Sequence, residues 1–297
     1  MDLTSPSTIK ELRDRHNFRL SGSLGQNFIA DRNVPERIIE GADIGEEDLV
    51  IEIGPGIGAL TAAAAEIAAR VIAIEIDERL IPVLRETLCS FDNVEVVNRD
   101  VLKTDIGEII SGEREKKSFS GAVRIIGNLP YYITTPIIMK LLEDDIDADS
   151  ITVMTQKEVA DRIRSGPGSK TYGAISVAVQ YYCDVEKVLS VPKEVFVPRP
   201  KVDSTVLTLR PVRGKRLQLA DEKTFFSCVR AAFAQRRKTL LNSLSAAGGM
   251  GKDEVRRILE KTGIDPGRRA ETLSIEEFGL LANEVADGKA ETKNERK

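Results

Sequence analysis

The chain has no tryptophan, one histidine and three cysteines among its 297 residues. Cys89, Cys183 and Cys228 are widely spaced and odd in number, so they offer neither a disulfide framework nor a zinc motif. The lone histidine, His16, stands outside every motif described below, which argues against catalysis built on a histidine base. No apolar run is long enough to cross a bilayer. The start, Met1-Asp-Leu-Thr-Ser-Pro6, lacks the charged and apolar regions of a secretory signal, so a cytoplasmic protein is expected. What is present, 41% hydrophobic and 30% charged residues, suits an ordinary globular protein. The length leaves room for one large α/β domain and a smaller second one.

Net charge is only −4, but it is unevenly spread. The segment from Lys193 to Arg269 carries 18 basic against 8 acidic residues, whereas residues 1–192 sum to −11 and the stretch from Ala270 to −3. A local basic field of that size can engage phosphates while the rest of the surface stays acidic. An ordinary solvated helical surface is the plainer alternative.

The most specific local signal is Val123-Arg-Ile-Ile-Gly-Asn-Leu-Pro-Tyr-Tyr132, an apolar strand running into Asn-Leu-Pro-Tyr. That order suits methyl transfer to an exocyclic amine of a flat ring. The amine of adenine is a poor nucleophile because its lone pair is delocalised, so a site must draw both N–H groups out of the ring plane. The side-chain oxygen of Asn128 can accept one hydrogen, and the main-chain carbonyl of Leu129 or Pro130 the other, because Pro130 restricts both residues. Tyr131 offers a face for the base. A plain strand-to-helix turn uses the same residue types.

Upstream, Leu49-Val-Ile-Glu-Ile-Gly-Pro-Gly-Ile-Gly58 reads as a buried strand opening through a glycine turn. The run from Gly54 to Ala59 also fits the dinucleotide fingerprint, with Glu75 at the spacing of a ribose-binding acid. The motif alone does not separate a nicotinamide cofactor from S-adenosylmethionine. Glu52 two residues before the first glycine, Asp100 after a third strand, and the Asn-Leu-Pro-Tyr turn favour the latter.

Alternating patterns predict strands at 49–53, 71–75, 94–98, 123–127 and 151–154, and helices at 59–69, 79–89, 135–142, 157–164 and 174–182. A hairpin-like pair at 186–191 and 204–210 should complete a mostly parallel sheet covered on both faces. Residues 211–216 read as a linker. Beyond it Phe225, Phe226, Val229, Phe233, Leu240, Leu241 and Leu244 recur at helical spacing. A small all-helical domain is expected over 217–287, and a disordered charged tail over 288–297.

Six blocks occur in order: Leu24-Gly-Gln-Asn-Phe28, Glu52-Ile-Gly-Pro-Gly56, Asn128-Leu-Pro-Tyr131, Phe196-Val-Pro-Arg-Pro-Lys-Val-Asp-Ser204, Phe233-Ala-Gln-Arg-Arg-Lys-Thr-Leu240, and Gly263-Ile-Asp-Pro266 leading into Arg269-Ala-Glu-Thr-Leu-Ser274. With them the chain resembles the KsgA-type ribosomal RNA small-subunit adenine N6,N6-dimethyltransferase family, from about Leu24 to Ala282. The resemblance implies a Rossmann-like class I S-adenosylmethionine-dependent methyltransferase domain with a seven-stranded sheet over 24–212, preceded by an arm over 1–23. It implies a cofactor held by Asn27, Ile29, Gly54, Glu75, Asp100 and Asn128, with no metal. Gln26 would meet either cofactor or RNA. Catalysis would fall to Asn128, Leu129, Pro130 and Tyr131, with Phe196 sandwiching the flipped adenine. The implied partners are small-subunit ribosomal RNA and the assembling 30S particle, met by a monomer. Arg236, Arg237 and Lys238 would bind RNA, unless one anchors the domains. The family often has basic residues before the first block, where this chain has Leu20-Ser-Gly-Ser23; Arg13, Arg15 and Arg19 are the nearest. Two alternatives are a large-subunit adenine N6-methyltransferase of the antibiotic-resistance type, and an assembly factor that keeps the fold without catalysis.

Overall fold

A computed structural model describes residues 1–18 and 26–294, with side chains to 288. Arg19 and the expected boundary at 23–24 lie outside the described residues. The chain forms two compact units: Met1–Ala160 with Asp184–Pro211, and Asp161–Cys183 with Val212–Lys297.

The first unit opens with α1 (Pro6–Arg15), the short strand β1 (Phe28–Ile29) and α2 (Asn33–Ala42). Strands β2 (Leu49–Ile53), β3 (Arg70–Glu75), β4 (Val94–Asn98), β5 (Val123–Asn128) and β6 (Ser150–Gln156) alternate with α3 (Ala59–Ala65), α4 (Ile81–Thr87), α5 (Ile106–Lys116) and α6 (Thr134–Glu143). After α7 (Lys157–Arg164) and α8 (Ala174–Tyr182) come β7 (Cys183–Val191), β8 (Phe196–Val197) and β9 (Ser204–Pro211). The sheet order is β4-β3-β2-β5-β6-β9-β7, parallel from β4 to β6, with β9 antiparallel to β6. Every residue of β2 is buried, as a strand covered on both faces requires, whereas the edge strand β4 is half-exposed. The chain turns one way from β2 to β3 and returns to its other side with β5. That places a ligand crevice at the carboxyl ends of β2 and β5. This is the expected Rossmann-like sheet, including the late 186–191 and 204–210 strands. Helices α1, α2 and α5 lie outside the elements read from the sequence.

In the second unit α9 (Glu222–Phe233), α10 (Leu240–Ala247), α11 (Lys252–Lys261) and α12 (Ile275–Asn294) enclose a core of Phe225, Val229, Leu240, Leu244, Leu259 and Phe278. The carboxylate of Asp221 caps α9 by accepting from the Thr224 N–H at 2.8 Å. Two expectations change here. Helix α8, read as a cover for the sheet, packs in this unit, with Tyr181 5.1 Å from Phe225 and Tyr182 stacked 5.6 Å from Phe226. Its periodicity marks an apolar face but not the partner of that face. The last helix also continues to Asn294, through residues expected to be disordered, because Lys, Ala and Glu there sustain a helix.

Candidate active site

The crevice is a cavity of about 950 Å³, counted to its open mouth, at the carboxyl ends of β2, β3, β4 and β5. Its floor is the glycine turn. Gly54, Gly56 and Gly58 all have positive φ, at 71°, 62° and 90°, a region that favours glycine. At Gly56 the space is also taken, since a Cβ there would meet the Phe28 ring at 3.0 Å. Gly58 starts α3, and the turn is tied back by the Gly54 N–H donating to the Ile74 carbonyl at 3.0 Å.

Two carboxylates stand in this floor. Glu75, at the end of β3, accepts from the Asp77 N–H at 2.8 Å and the Gly56 N–H at 3.3 Å. Burial nevertheless pushes its carboxyl up to about 6; the two N–H bonds oppose the rise and neighbouring Asp77 adds to it. Glu52, at 1% exposure, is deeper. Its Oε2 has no hydrogen-bond partner, and neither does the buried Thr61 hydroxyl. Burial drives the Glu52 carboxyl up to about 8, the charge of Glu75 contributes, and Thr61 counters weakly because it does not reach hydrogen-bond geometry. A buried unpaired carboxylate oxygen is costly unless something cationic meets it. The residues therefore fit a cofactor that carries positive charge and ribose hydroxyls, as S-adenosylmethionine does.

All six residues expected at the cofactor, Asn27, Ile29, Gly54, Glu75, Asp100 and Asn128, line the cavity. Asp100 also caps a 3₁₀ turn, its Oδ1 accepting from the Leu102 N–H at 3.0 Å, so it fills both roles open to it from sequence. Asn128 donates its amide to the Asn27 carbonyl at 3.0 Å, which leaves its side-chain oxygen as an acceptor. Of the two candidate carbonyls, that of Pro130 accepts from the Ile133 N–H at 3.1 Å and the Thr134 hydroxyl at 3.0 Å. Both its lone pairs are engaged. The Leu129 carbonyl has no partner among the described residues, and is the free acceptor beside Asn128.

The aromatic pair is arranged differently from expectation. Tyr131 is half-buried and does not line the cavity; its hydroxyl shares a 2.7 Å hydrogen bond with Ser204. Phe196 is corrected outright as an open stacking face. It is 3% exposed and packs against Ile29, Val34 and Ile38, because β8 pairs with β1 and alternation turns Phe196 and Ile29 to the same core. The exposed ring at the cavity is Tyr132, at 56%. Phe28, Ile57, Ile76, Leu80, Val101, Ile133 and Ile137 also line it. No sequence signal marks them, since apolar residues at strand ends look the same whether they face a ligand or a core.

Arg236, Arg237 and Lys238 lie in the second unit, on the turn after α9. Arg236 donates to the Lys170 carbonyl at 2.6 Å and so anchors a loop of its own unit. Among the described residues, Arg237 and Lys238 have no side-chain partner. In the arm, Arg13 pairs with Asp14 at 3.0 Å and Arg15 with Glu86 and Glu11.

The family profile described as Ribosomal RNA adenine dimethylase matches residues 16–287. The chain belongs to that family. Among its curated relatives, the protein called Ribosomal RNA small subunit methyltransferase A in Clostridioides difficile is 52% identical, over 95% of this chain and 96% of its own length. The Bacillus mycoides protein of the same name is 50% identical, over 95% and 97%. Family members in solved structures include a dimethyladenosine transferase from Plasmodium falciparum, with a TM-score of 0.71 and 26% identity over 88% of this chain and 97% of that one. A 23S rRNA methyltransferase, ErmE, gives 0.64 and 29%, over 88% and 100%. The fold and the family imply S-adenosylmethionine as methyl donor. Among the described residues no group of three or more His, Cys, Asp or Glu could hold a metal ion, and no helix is long and apolar enough to cross a membrane.

Proposed function

We propose that the protein dimethylates N6 of two adjacent adenosines in the loop of the 3′-terminal hairpin of small-subunit ribosomal RNA, using four molecules of S-adenosylmethionine and acting late in 30S assembly. The observation that carries this reading is identity of about half the residues, over nearly the whole length, with proteins named for small-subunit methylation. Asn27, Ile29, Gly54, Glu75, Asp100 and Asn128 would hold the cofactor, with Glu52 meeting its positive charge. S-adenosylmethionine brings a methyl carbon already activated by the sulfonium, so positioning outweighs acid–base chemistry.

The oxygen of Asn128 and the carbonyl of Leu129 are the two acceptors for the N–H groups of the target amine. Drawing both hydrogens out of the ring plane frees the nitrogen lone pair. The same oxygens then stabilise the ammonium that forms, an electrostatic role played elsewhere by donors at an oxyanion. Pro130 restricts the turn, and Ser204 pins Tyr131 beside it as the face for the base. Phe196, buried in the core, takes no part. Solvent is the sink for the released proton; no side chain here is a required base.

The likeness to a 23S rRNA methyltransferase keeps the large-subunit reading alive on fold grounds. The far higher identity to the small-subunit proteins weighs against it. Intact glycines and a free Asn128 oxygen weigh against a factor without catalysis. The test is competition: undermethylated small and large subunits are mixed with enzyme and labelled methyl donor. Label is expected in the small-subunit RNA; label confined to the large subunit overturns the reading.

A further inference from the structure

A second concavity lies in the helical unit, away from every residue discussed so far except Lys238. It is a shallow groove of about 920 Å³, counted to its open face, lined by Gln235, Lys238, Asn242, Ser245, Met250 and Lys252 among others. Gln235 and Lys238 come from the turn after α9, Asn242 and Ser245 from α10, and Lys252 from the first position of α11.

Two observations separate this groove from an ordinary solvated surface. First, no carboxylate lines it, although Asp253 and Glu254 follow Lys252 directly on the exposed side of α11. Second, its cations are free where others in the unit are matched. Arg268 pairs with Glu277, Lys261 with Glu284, and Arg236 with a backbone carbonyl. Neither Lys238 nor Lys252 has a side-chain partner among the described residues. The remaining lining groups are neutral and polar. Asn242 donates one amide hydrogen to Thr239 at 3.0 Å and keeps its oxygen and a second hydrogen. Gln235 supplies a further amide. Ammonium groups, amides and hydroxyls are the groups that contact phosphate oxygens without reading sequence.

We propose that this groove seats the sugar–phosphate backbone of the substrate RNA, with Lys238 and Lys252 on phosphates and Gln235 and Asn242 completing the contact. The proposal rests on ribosomal RNA being the substrate, and adds Lys252, Gln235 and Asn242 to its binding surface. The groove fixes the RNA's position and carries no base specificity.

The test measures filter binding of the full-length protein over a KCl series, with undermethylated small subunits and with protein-free small-subunit RNA as probes. Lys238→Gln, Lys252→Gln and the double variant are compared with Lys187→Gln, an exposed lysine of β7. Each groove lysine is expected to contribute about 0.7–0.9 to the slope of log affinity against log salt. The double variant should therefore flatten the slope by about 1.5 for both probes, with S-adenosylmethionine affinity and the Lys187→Gln slope unchanged. A double variant with the wild-type slope and affinity overturns the groove and leaves the function standing. Weakening with the particle alone, and not with free RNA, means a protein partner and also overturns it. If wild type binds neither probe and methylates neither, the functional reading itself has failed.

Discussion

Glu52 is the residue whose surroundings demand most explanation. It is nearly fully buried, one oxygen is unpaired, and its carboxyl is raised to about 8. Between about pH 4.5 and 8 the ligand-free folded protein holds a proton there that the unfolded chain has lost. Stability must then fall as pH rises through that window. Glutamine mimics the neutral acid, so Glu52→Gln should match wild type near pH 4.5 and become the more stable of the two toward pH 8. Urea unfolding of both proteins across that range checks this, and parallel stability curves would contradict it. Asn128 is tested differently. Asn128→Ala should slow methyl transfer by about two orders of magnitude, the usual loss of one preorganised partner of a transition state. It should also weaken cofactor binding modestly, because the Asn128 amide holds the Asn27 carbonyl at 3.0 Å. Single-turnover kinetics with calorimetry separate the two effects; near-normal turnover would assign the work to Leu129 alone. Both roles of Asn128 begin from a motif visible in sequence. The orphaned Glu52 oxygen and the engaged Pro130 carbonyl were not visible, since they depend on what surrounds each atom in space.

At the scale of elements, α1 shows how a segment with no motif can serve the site. Its Ile9 and Leu12 pack, with Leu3 and Phe18, against Phe28, Ile57, Leu80 and Val83. Phe28, Ile57 and Leu80 are walls of the cofactor cavity. His16 adds a 2.6 Å contact with Glu86, and Phe18 meets Phe28 edge-on at 6.2 Å. The arm that the resemblance linked to RNA is here a buttress for the pocket, and its Arg13 and Arg15 are already paired. Leu12→Ala should cost about 2–5 kcal/mol of stability, the range for buried large-to-small changes, and lower S-adenosylmethionine affinity as Phe28 loses support. Denaturant unfolding and calorimetry measure both; an unaltered affinity would confine α1 to stability. The parallel strands were legible because buried runs between helical patterns have few other solutions. The partner of α8, and the inward turn of Phe196 beside Ile29, depend on pairings between distant segments that periodicity does not encode.

On the scale of the whole molecule, cofactor residues and unpaired cations are segregated. The nucleotide pocket lies wholly within the acidic first unit, and Arg237, Lys238 and Lys252 lie in the second. A net charge of −4 therefore conceals an RNA-compatible surface, legible only when charge is counted by segment. The family was readable from six spaced blocks, and identity of about half the residues with small-subunit methyltransferases directs the choice of RNA. The most direct measurement is nucleoside mass analysis of RNA from undermethylated small subunits, after exhaustive reaction with the protein and isotopically labelled S-adenosylmethionine. The account predicts two N6,N6-dimethyladenosines per subunit at adjacent positions, hence four labelled methyl groups. A single modified adenosine, monomethylation only, or unlabelled small-subunit RNA would contradict it.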